Sequence, residues 1–229
     1  MKHPFFRISI AIILGILVLM LSSAILMTIS MKTSLIESFP IIEKVSMHLA
    51  MFVFSILIIL LLNKGKLRGY GFNWSVDFPF VKIVLISILF GFIFSIIERF
   101  FINSTSESPT ADFSLIENII YIWFLASIAE EVLTRGLIQG YLSPLKHIGI
   151  RVFKYYISLP ILVGALFFGA MHLMLLSMGV DIYSVMNIVI FGTLLGLIAG
   201  YQKEKTNSLI PAIIVHMCFN VGASLLALI

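Results

Sequence analysis

Two adjacent carboxylates and an arginine lie within a long apolar stretch of this sequence. Glu130 and Glu131 are followed by Arg135, and the surrounding segment, residues 115–142, carries only one other charge, Glu117 near its start. Placing one ionised side chain at the centre of a membrane-spanning helix costs about 2.5–3.5 kcal/mol on insertion scales. Three such groups within six residues therefore indicate a functional site.

Helical spacing gives the two glutamates different expected roles. Side chains four residues apart lie on one face of a helix, so Glu131 and Arg135 are expected to form an ion pair. Glu130 is rotated from Glu131 by about 100° at 3.6 residues per turn, and therefore faces another direction. We expect the Glu131–Arg135 pair to be structural and the Glu130 carboxylate to remain available for chemistry.

Two further polar motifs have the same spacing in later apolar stretches. Phe168 and His172 are four residues apart, as are His216 and Asn220, so each pair projects from one helix face. A carboxylate beside a histidine can take a proton from water, while imidazole and amide N–H groups can stabilise an oxyanion. These residue types suit the hydrolysis of an amide bond.

Each of these residues also has an alternative interpretation. A histidine in a membrane span can simply hydrogen-bond a neighbouring helix, and Asn220 taken alone is better explained as structural. Together, Glu130, His172 and His216 could form a three-ligand zinc site with an open position. The HExxH spacing of common zinc proteases is absent, so we favour a site without a metal cofactor. The other histidines, His3, His48 and His147, fall at predicted span ends or in loops and are given no role.

The rest of the chain must supply the helices that position these motifs. Of 229 residues, 60% are apolar and 11% are charged, a composition typical of polytopic membrane proteins. Runs of about 20 apolar residues can cross a hydrocarbon layer of about 30 Å. They predict an all-α bundle forming a single integral-membrane domain, residues 1–229, with seven spans, or eight if the fourth is broken. The predicted spans are residues 8–30, 41–62, 80–102, 115–142, 159–178, 182–201 and 208–228.

The basic residues predict an orientation, because Lys and Arg near span ends favour the cytoplasmic side. With seven spans, eleven of them fall on the side of the N-terminus and three on the other. We therefore expect the N-terminus inside and the C-terminus outside. The eleven are Lys2, Arg7, Lys64, Lys66, Arg68, Lys82, Lys146, Arg151, Lys154, Lys203 and Lys205, and the three are Lys32, Lys44 and Arg99.

The loops and one glycine pattern give further expectations. Residues 64–74 are predicted as an inner loop, residues 103–112 as an outer loop, and residues 144–158 as a short interfacial helix. Glycines recur every four residues in the sixth span, a spacing that lets a neighbouring helix approach closely. The glycines are Gly192, Gly196 and Gly200.

No basic stripe interleaved with aromatic residues is present, so nucleic acid is not an expected partner.

The three motifs resemble those of the CPBP family of intramembrane proteases (CAAX protease and bacteriocin-processing, also called Abi). The family pattern is EExxxR, FxxxH and HxxxN, in that order on successive helices. The resemblance covers about residues 113–225 and implies a helical bundle with its catalytic core there and a site open to the cytoplasm. The motifs occur here as Glu130-Glu131-xxx-Arg135, Phe168-xxx-His172 and His216-xxx-Asn220.

The resemblance also implies roles for individual residues. Glu130 and His172 would activate the attacking water, and His216 with Asn220 would stabilise the oxyanion. The ion pair and Phe168 would support the site. The family was first described as metal-dependent, whereas its eukaryotic members resemble glutamate-type proteases, so a zinc cofactor stays open as the alternative.

Substrate and biological role are less defined by the resemblance. Eukaryotic members remove three residues after a prenylated cysteine, whereas many bacterial members resemble bacteriocin-processing or self-immunity proteins. We expect a bacterial plasma-membrane protein, with lipid and a peptide or prenylated protein as partners. The competing functions are a non-catalytic scaffold or bacteriocin immunity protein of the same fold, and an ion or proton transporter. Against transport, the sequence lacks a pair of interrupted spans in corresponding halves.

Overall fold

Apolar segments of the sequence form the helices of the computed structural model, which describes residues 4–31, 40–74, 77–102 and 113–227. Within these residues, seven helices follow one another where seven spans are predicted. They are α1 (Pro4–Ser30), α2 (Pro40–Leu62), α3 (Phe80–Ile97, continued by a π-helical turn Glu98–Ile102), α4 (residues 115–142), α5 (Leu159–Met171, continued by a 3₁₀ turn His172–Met178), α6 (Ile182–Thr206) and α7 (Ile210–Ser224).

The predicted all-α membrane bundle is confirmed, although fewer helices meet the requirements for a full span. Among the described residues, five helices are long and apolar enough to cross a membrane, namely α1, α2, α3, α5 and α6 with their continuations. The last helix, α7, is apolar but has only 15 residues. The fourth helix, α4, is interrupted by changes in its hydrogen-bonding pattern. The count is compatible with the predicted seven or eight.

The fourth helix alternates between α and π geometry. It begins at the N-cap Ser114, where a capping box with Glu117 satisfies free backbone N–H groups. The segments Asn118–Ala126 and Val132–Gln139 are π-helical, and the short α segment Ser127–Glu131 lies between them. π turns occur frequently at functional sites. Here they flank the segment that carries both glutamates.

Helix α4 occupies the centre of the bundle. It packs against α1, α2, α5, α6 and α7, and every residue of Val132–Gln139 is buried. Around it, α1 lies along α2, α5 along α6, and α3 along α7. The α3–α7 contact depends on Gly91 and Gly222, since a Cβ at either position would collide with a backbone carbonyl of the other helix. The ionised residues of α4 are therefore enclosed by protein.

The predicted interfacial helix at residues 144–158 is wrong. A short 3₁₀ turn is followed by an antiparallel hairpin, β1 (Gly149–Val152) and β2 (Tyr155–Ser158). The hairpin turns at Phe153, which has a positive φ of 52°. Its strands are rich in β-branched and aromatic residues, which fit a pleated surface better than a helix.

The loops separate into two groups at opposite ends of the bundle. At one end, the Arg7 guanidinium donates to the Tyr141 carbonyl (2.9 Å), and Ser208 on the turn before α7 donates to the Asn73 carbonyl (2.6 Å). At the other end, the Arg99 guanidinium donates to the Leu226 carbonyl (3.0 Å). Loops predicted on the same side thus lie together, while their orientation relative to the cytoplasm stays a prediction. The predicted outer loop, residues 103–112, lies outside the described residues.

Candidate active site

The predicted Glu131–Arg135 ion pair is present at the centre of the bundle. An Arg135 Nη1 to Glu131 Oε1 distance of 2.9 Å joins two side chains that are both fully buried. The guanidinium also lies over the Phe168 ring, 4.4 Å from its centroid, and donates to the Thr134 hydroxyl. That hydroxyl in turn donates to the Glu130 carbonyl (2.6 Å). The pair is thereby fixed to the backbone that carries Glu130.

His216 lies between the two glutamates. Its Nδ1 is 3.0 Å from Glu131 Oε1, and its Nε2 is 3.9 Å from Glu130 Oε2. Because an ionised carboxylate only accepts hydrogen bonds, the Nδ1 atom must carry the proton of this bond. Glu131 therefore fixes the orientation of the His216 ring and leaves Nε2 facing Glu130.

Glu130 has a second histidine neighbour that the sequence analysis missed. His48 Nε2, on α2, lies 3.4 Å from Glu130 Oε1, and the two side chains are 25% and 12% exposed. The signal for this residue was available, because His48 interrupts an apolar run inside a predicted span. The two oxygens of Glu130 thus face two different imidazoles, and the carboxylate keeps some access to the outside.

His172 occupies a different position from that expected for a direct partner of Glu130. It is the first residue after α5, and its Nδ1 donates to the Phe168 carbonyl (2.8 Å). The Phe168 ring makes edge contacts with both His172 and His216, with centroid distances of 5.2 Å in each case. His172 lies within electrostatic range of Glu130 but not within ion-pair distance. Its Nε2 forms no hydrogen bond with the residues that the structure describes.

The amide of Asn220 is engaged by the neighbouring helix. Asn220 Nδ2 donates to the Ile122 carbonyl and to Ser127 Oγ, both at 3.1 Å. Two amide hydrogens are available, so these bonds use both and tie α7 to α4. An oxyanion role would require one bond to be exchanged for the substrate. That role stays a prediction.

Substitution of Asn220 distinguishes the two roles. If the amide stabilises an oxyanion, Asn220→Ala should lower kcat by about 10²–10³-fold with little change in KM, the usual effect of removing one such donor. Steady-state kinetics together with the thermal unfolding midpoint provide the measurement. A large fall in the midpoint with kcat retained would mean that Asn220 only ties the helices.

Charge balance adds a constraint on the histidines. Two ionised carboxylates, Glu130 and Glu131, face one guanidinium, Arg135, so the cluster carries a net charge of −1 with neutral imidazoles. An uncompensated charge inside an apolar bundle is costly. One further positive charge would bring the cluster to neutrality, and His216 is the imidazole that lies between the two carboxylates.

The region that matches a known protein family includes every residue of the candidate site except His48. Residues 112–222 match the family described as Type II CAAX prenyl endopeptidase Rce1-like. Over these residues the chain is similar to the Rce1-like family. No curated protein and no solved structure matches the chain. The membrane-spanning helices together with this family identify an integral membrane protein.

The Rce1-like region contains all three sequence motifs and helices α4 to α7. His48 lies outside it, on α2, so the family match carries no information about that residue. The N-terminal helices nevertheless complete the surroundings of Glu130. The candidate site is therefore built by both halves of the chain.

The predicted zinc alternative can be compared with the arrangement of the side chains in the Rce1-like site, while the metal-free mechanism stays a prediction. Among the described residues, no three His, Cys, Asp or Glu side chains converge so that they could hold a metal ion. The alternative ligand set predicted above was Glu130, His172 and His216. Of these, only His216 lies within 4 Å of the Glu130 carboxylate, and its Nδ1 is bonded to Glu131.

The glycine stripe of α6 makes room for the side chains that support the Rce1-like site. A Cβ on Gly196 would come within 2.8 Å of Ala165 on α5 and 3.2 Å of the Arg135 guanidinium. Gly192 similarly faces the Phe168 and His172 rings. The stripe is a packing surface, as predicted, and it also provides the space for the buried arginine.

Proposed function

We propose that this protein is an intramembrane endopeptidase that hydrolyses a peptide bond near the membrane surface. The observation that carries the proposal is the Glu130 carboxylate, positioned between His48 and His216 inside an apolar bundle. The similarity of residues 112–222 to the Rce1-like family supports the same reaction class. A peptide or prenylated protein with a CAAX-type C-terminus is the proposed substrate.

In the proposed reaction, Glu130 acts as general base. It takes one proton from a water molecule as the water oxygen attacks the scissile carbonyl carbon. His172, whose Nε2 is free, would help to orient that water. The carbonyl oxygen becomes an oxyanion, which protonated His216 and the Asn220 amide would stabilise. When the C–N bond breaks, the departing amine receives the proton held by Glu130.

The low polarity around the cluster strengthens this mechanism. Hydrogen-bond donors that are already oriented in a water-poor site stabilise developing charge better than the same groups in water. Glu131 would contribute indirectly, because its bond to His216 Nδ1 directs Nε2 toward the reacting atoms. We therefore propose Glu131, Arg135 and Phe168 as positioning residues.

The competing scaffold and transporter functions lack a supporting observation of this kind. Glu131 satisfies the structural need for a counter-ion to Arg135, so a scaffold has no evident use for Glu130 beside it. A proton or ion transporter uses a relay of ionisable groups along its path, whereas the ionisable groups of this site form one cluster at the centre of the bundle. They are Glu130, Glu131, Arg135, His48 and His216.

A cleavage assay tests the proposed function. Purified protein in lipid vesicles would be incubated with CAAX-type peptides, prenylated and unprenylated, and the products would be mapped by mass spectrometry. Cleavage at one bond near the C-terminus, lost in Glu130→Gln, is the expected result. Absence of cleavage across a broad peptide library, by protein that remains folded, would favour the scaffold function.

Chelator treatment tests the metal-free mechanism. We expect activity to survive dialysis against chelator, and elemental analysis to find much less than one zinc per chain. A catalytic zinc would instead be lost at low pH as its histidine ligands become protonated. Zinc at one equivalent per chain, lost together with activity and restored by zinc alone, would overturn the metal-free mechanism.

Substitution of His48 tests its proposed contact with Glu130. His48→Leu should lower kcat about tenfold, which corresponds to the loss of about 1–1.5 kcal/mol from one hydrogen bond. His147→Leu is the matched control, since that histidine is exposed and hydrogen-bonds the Pro144 carbonyl. Equal kcat values of His48→Leu and His147→Leu would contradict the assignment.

A further inference from the structure

A polar cavity lies at the end of the bundle that carries most of the basic loops. It has a volume of about 410 Å³ and lies between the end of α4, the end of α6 and the loop after α2. Cavities of 300–1,000 Å³ are large enough for small organic ligands. The lining includes Lys203, Lys146, Gln139, Ser143 and Glu204. The catalytic proposal uses none of these residues.

The most unusual lining residue is a buried lysine. Lys203, on α6, is only 4% exposed. A Cβ on Gly71 would come within 3.2 Å of its Cε, so the loop after α2 covers its aliphatic stem. Among the described residues, its ammonium group forms no hydrogen bond and no ion pair within 4 Å, and Glu204 interacts with it electrostatically. Burial of a charge without a close ion-pair partner is costly, so this ammonium group fits a site that receives an anion.

The neighbouring groups define the chemistry of that anion. Lys146, an exposed residue, contributes a second cation, and the Ser143 hydroxyl contributes a possible donor. Two acceptors are present as well. Gln139 Oε1 is buried without a hydrogen-bond partner, while Glu204 accepts one hydrogen bond from Ser158 through Oε2. A matching ligand carries both a negative group and a hydrogen-bond donor.

The surroundings favour a ligand from the membrane. A second cavity of about 470 Å³ shares Lys146 and Glu204 with the first and is also lined by Tyr156 and Tyr201. It leads toward the β1–β2 hairpin, whose tip residue Phe153 is 94% exposed. Aromatic residues with lysine beside them are typical of the headgroup region of a bilayer. These residues favour a position of the cavity at the height of the lipid headgroups.

We propose that this cavity binds a phospholipid headgroup through its phosphate and a hydroxyl or ammonium group. Lys203 and Lys146 contact the phosphate, and Gln139 Oε1 and Glu204 accept hydrogen bonds from the donor of the headgroup. The site is separate from the catalytic cluster and does not depend on the proposed protease activity. Free phosphate shares part of this chemistry, so the experiment includes it as a separate ligand.

Binding to the purified, detergent-solubilised full chain tests the proposal. Titrations would use dihexanoyl phosphatidylglycerol, the matching phosphatidylcholine, which lacks a headgroup donor, and inorganic phosphate. Calorimetry and the thermal unfolding midpoint are the readouts. We expect saturable, stabilising binding of phosphatidylglycerol and weaker binding of the other two. Absence of saturable binding by both phosphatidylglycerol and phosphate would overturn the proposal.

Lys203→Met provides the decisive variant, with Lys66→Met as its control because Lys66 is an exposed lysine in the loop after α2. Loss of a charge-assisted hydrogen bond should weaken phosphatidylglycerol binding by about 10- to 100-fold in Lys203→Met. Because the Lys203 ammonium group is buried without an ion pair, its removal should leave the unliganded variant about as stable as the wild type. Lys66→Met should bind as the wild type does.

Three further outcomes are informative. Equal affinity of Lys203→Met and wild type would overturn the site. Phosphate binding as tight as lipid binding, and lost in Lys203→Met, would retain the anion site but overturn its assignment to lipid. If Lys203→Met does not fold, Lys146→Met on the exposed rim should still weaken binding several-fold, and unchanged affinity there would overturn the proposal.

Discussion

Glu130→Gln is expected to reduce peptide cleavage by about 10²–10⁴-fold, the usual contribution of a general base. The substitution keeps the size of the side chain and its carbonyl oxygen but removes the ability to accept a proton. Because the carboxylate is not part of the buried Arg135 pair, the thermal unfolding midpoint should stay near the wild-type value. Single-turnover cleavage of a reporter peptide and a thermal melt of the same sample are the measurements.

Glu98→Gln is the matched control for this experiment. Glu98 lies at the opposite end of the bundle from the hairpin and accepts a hydrogen bond from Asn187 Nδ2 (2.8 Å), which an amide oxygen can replace. The Glu98→Gln variant should cleave the reporter peptide at the wild-type rate. If Glu130→Gln retains more than about a tenth of the wild-type rate, Glu130 is not the base.

Glu131→Gln and Arg135→Met are each expected to cost about 3–5 kcal/mol of stability, because each leaves the other charge buried and unpaired. Both side chains are fully buried and 2.9 Å apart, so water cannot compensate either one. Glu131→Gln should also reduce cleavage, since Glu131 orients His216. Equilibrium unfolding in mixed detergent micelles measures the free energy of unfolding of each variant.

The double variant separates charge pairing from general damage to the core. Glu131→Gln combined with Arg135→Met leaves no unpaired charge, so its loss of stability should be smaller than the sum of the two single losses. Simple additivity would show that the ion pair contributes no coupling energy. Equal stability of Glu130→Gln and Glu131→Gln would contradict the different roles given to the two glutamates.

Contacts within one helix could be predicted from residue spacing, whereas the contact between His48 and Glu130 could not. The Glu131–Arg135 pair follows from four-residue spacing on one helix, and the seven helices follow from runs of apolar residues. By contrast, His48 reaches Glu130 only because α2 packs against α4. Neither spacing nor hydropathy contains that information. A polar residue inside an apolar run was the available signal, and for His48 it was not used.

Local conformation explains the other differences. The hairpin at residues 149–158 was predicted as a helix because its alternating apolar and basic residues also fit an interfacial helix. The π segments of α4 depend on bonds from residue i to i+5, which no residue pattern in the sequence indicates. They change the rotation between neighbouring side chains. Expectations based on 3.6 residues per turn therefore hold for the ion pair but not for every contact of α4.

The ion pair within α4 has a consequence for biosynthesis. Since Glu131 and Arg135 lie on one helix, α4 can enter the bilayer with its own counter-ion, before later helices are made, which lowers the cost of inserting both charges. Glu130 depends on partners from other helices. His48 has already been synthesised at that stage, whereas His216 arrives only with the last helix. The nascent chain is thus inserted with an incomplete set of partners for Glu130, and the proposed hydrolysis requires α7 to have joined the bundle.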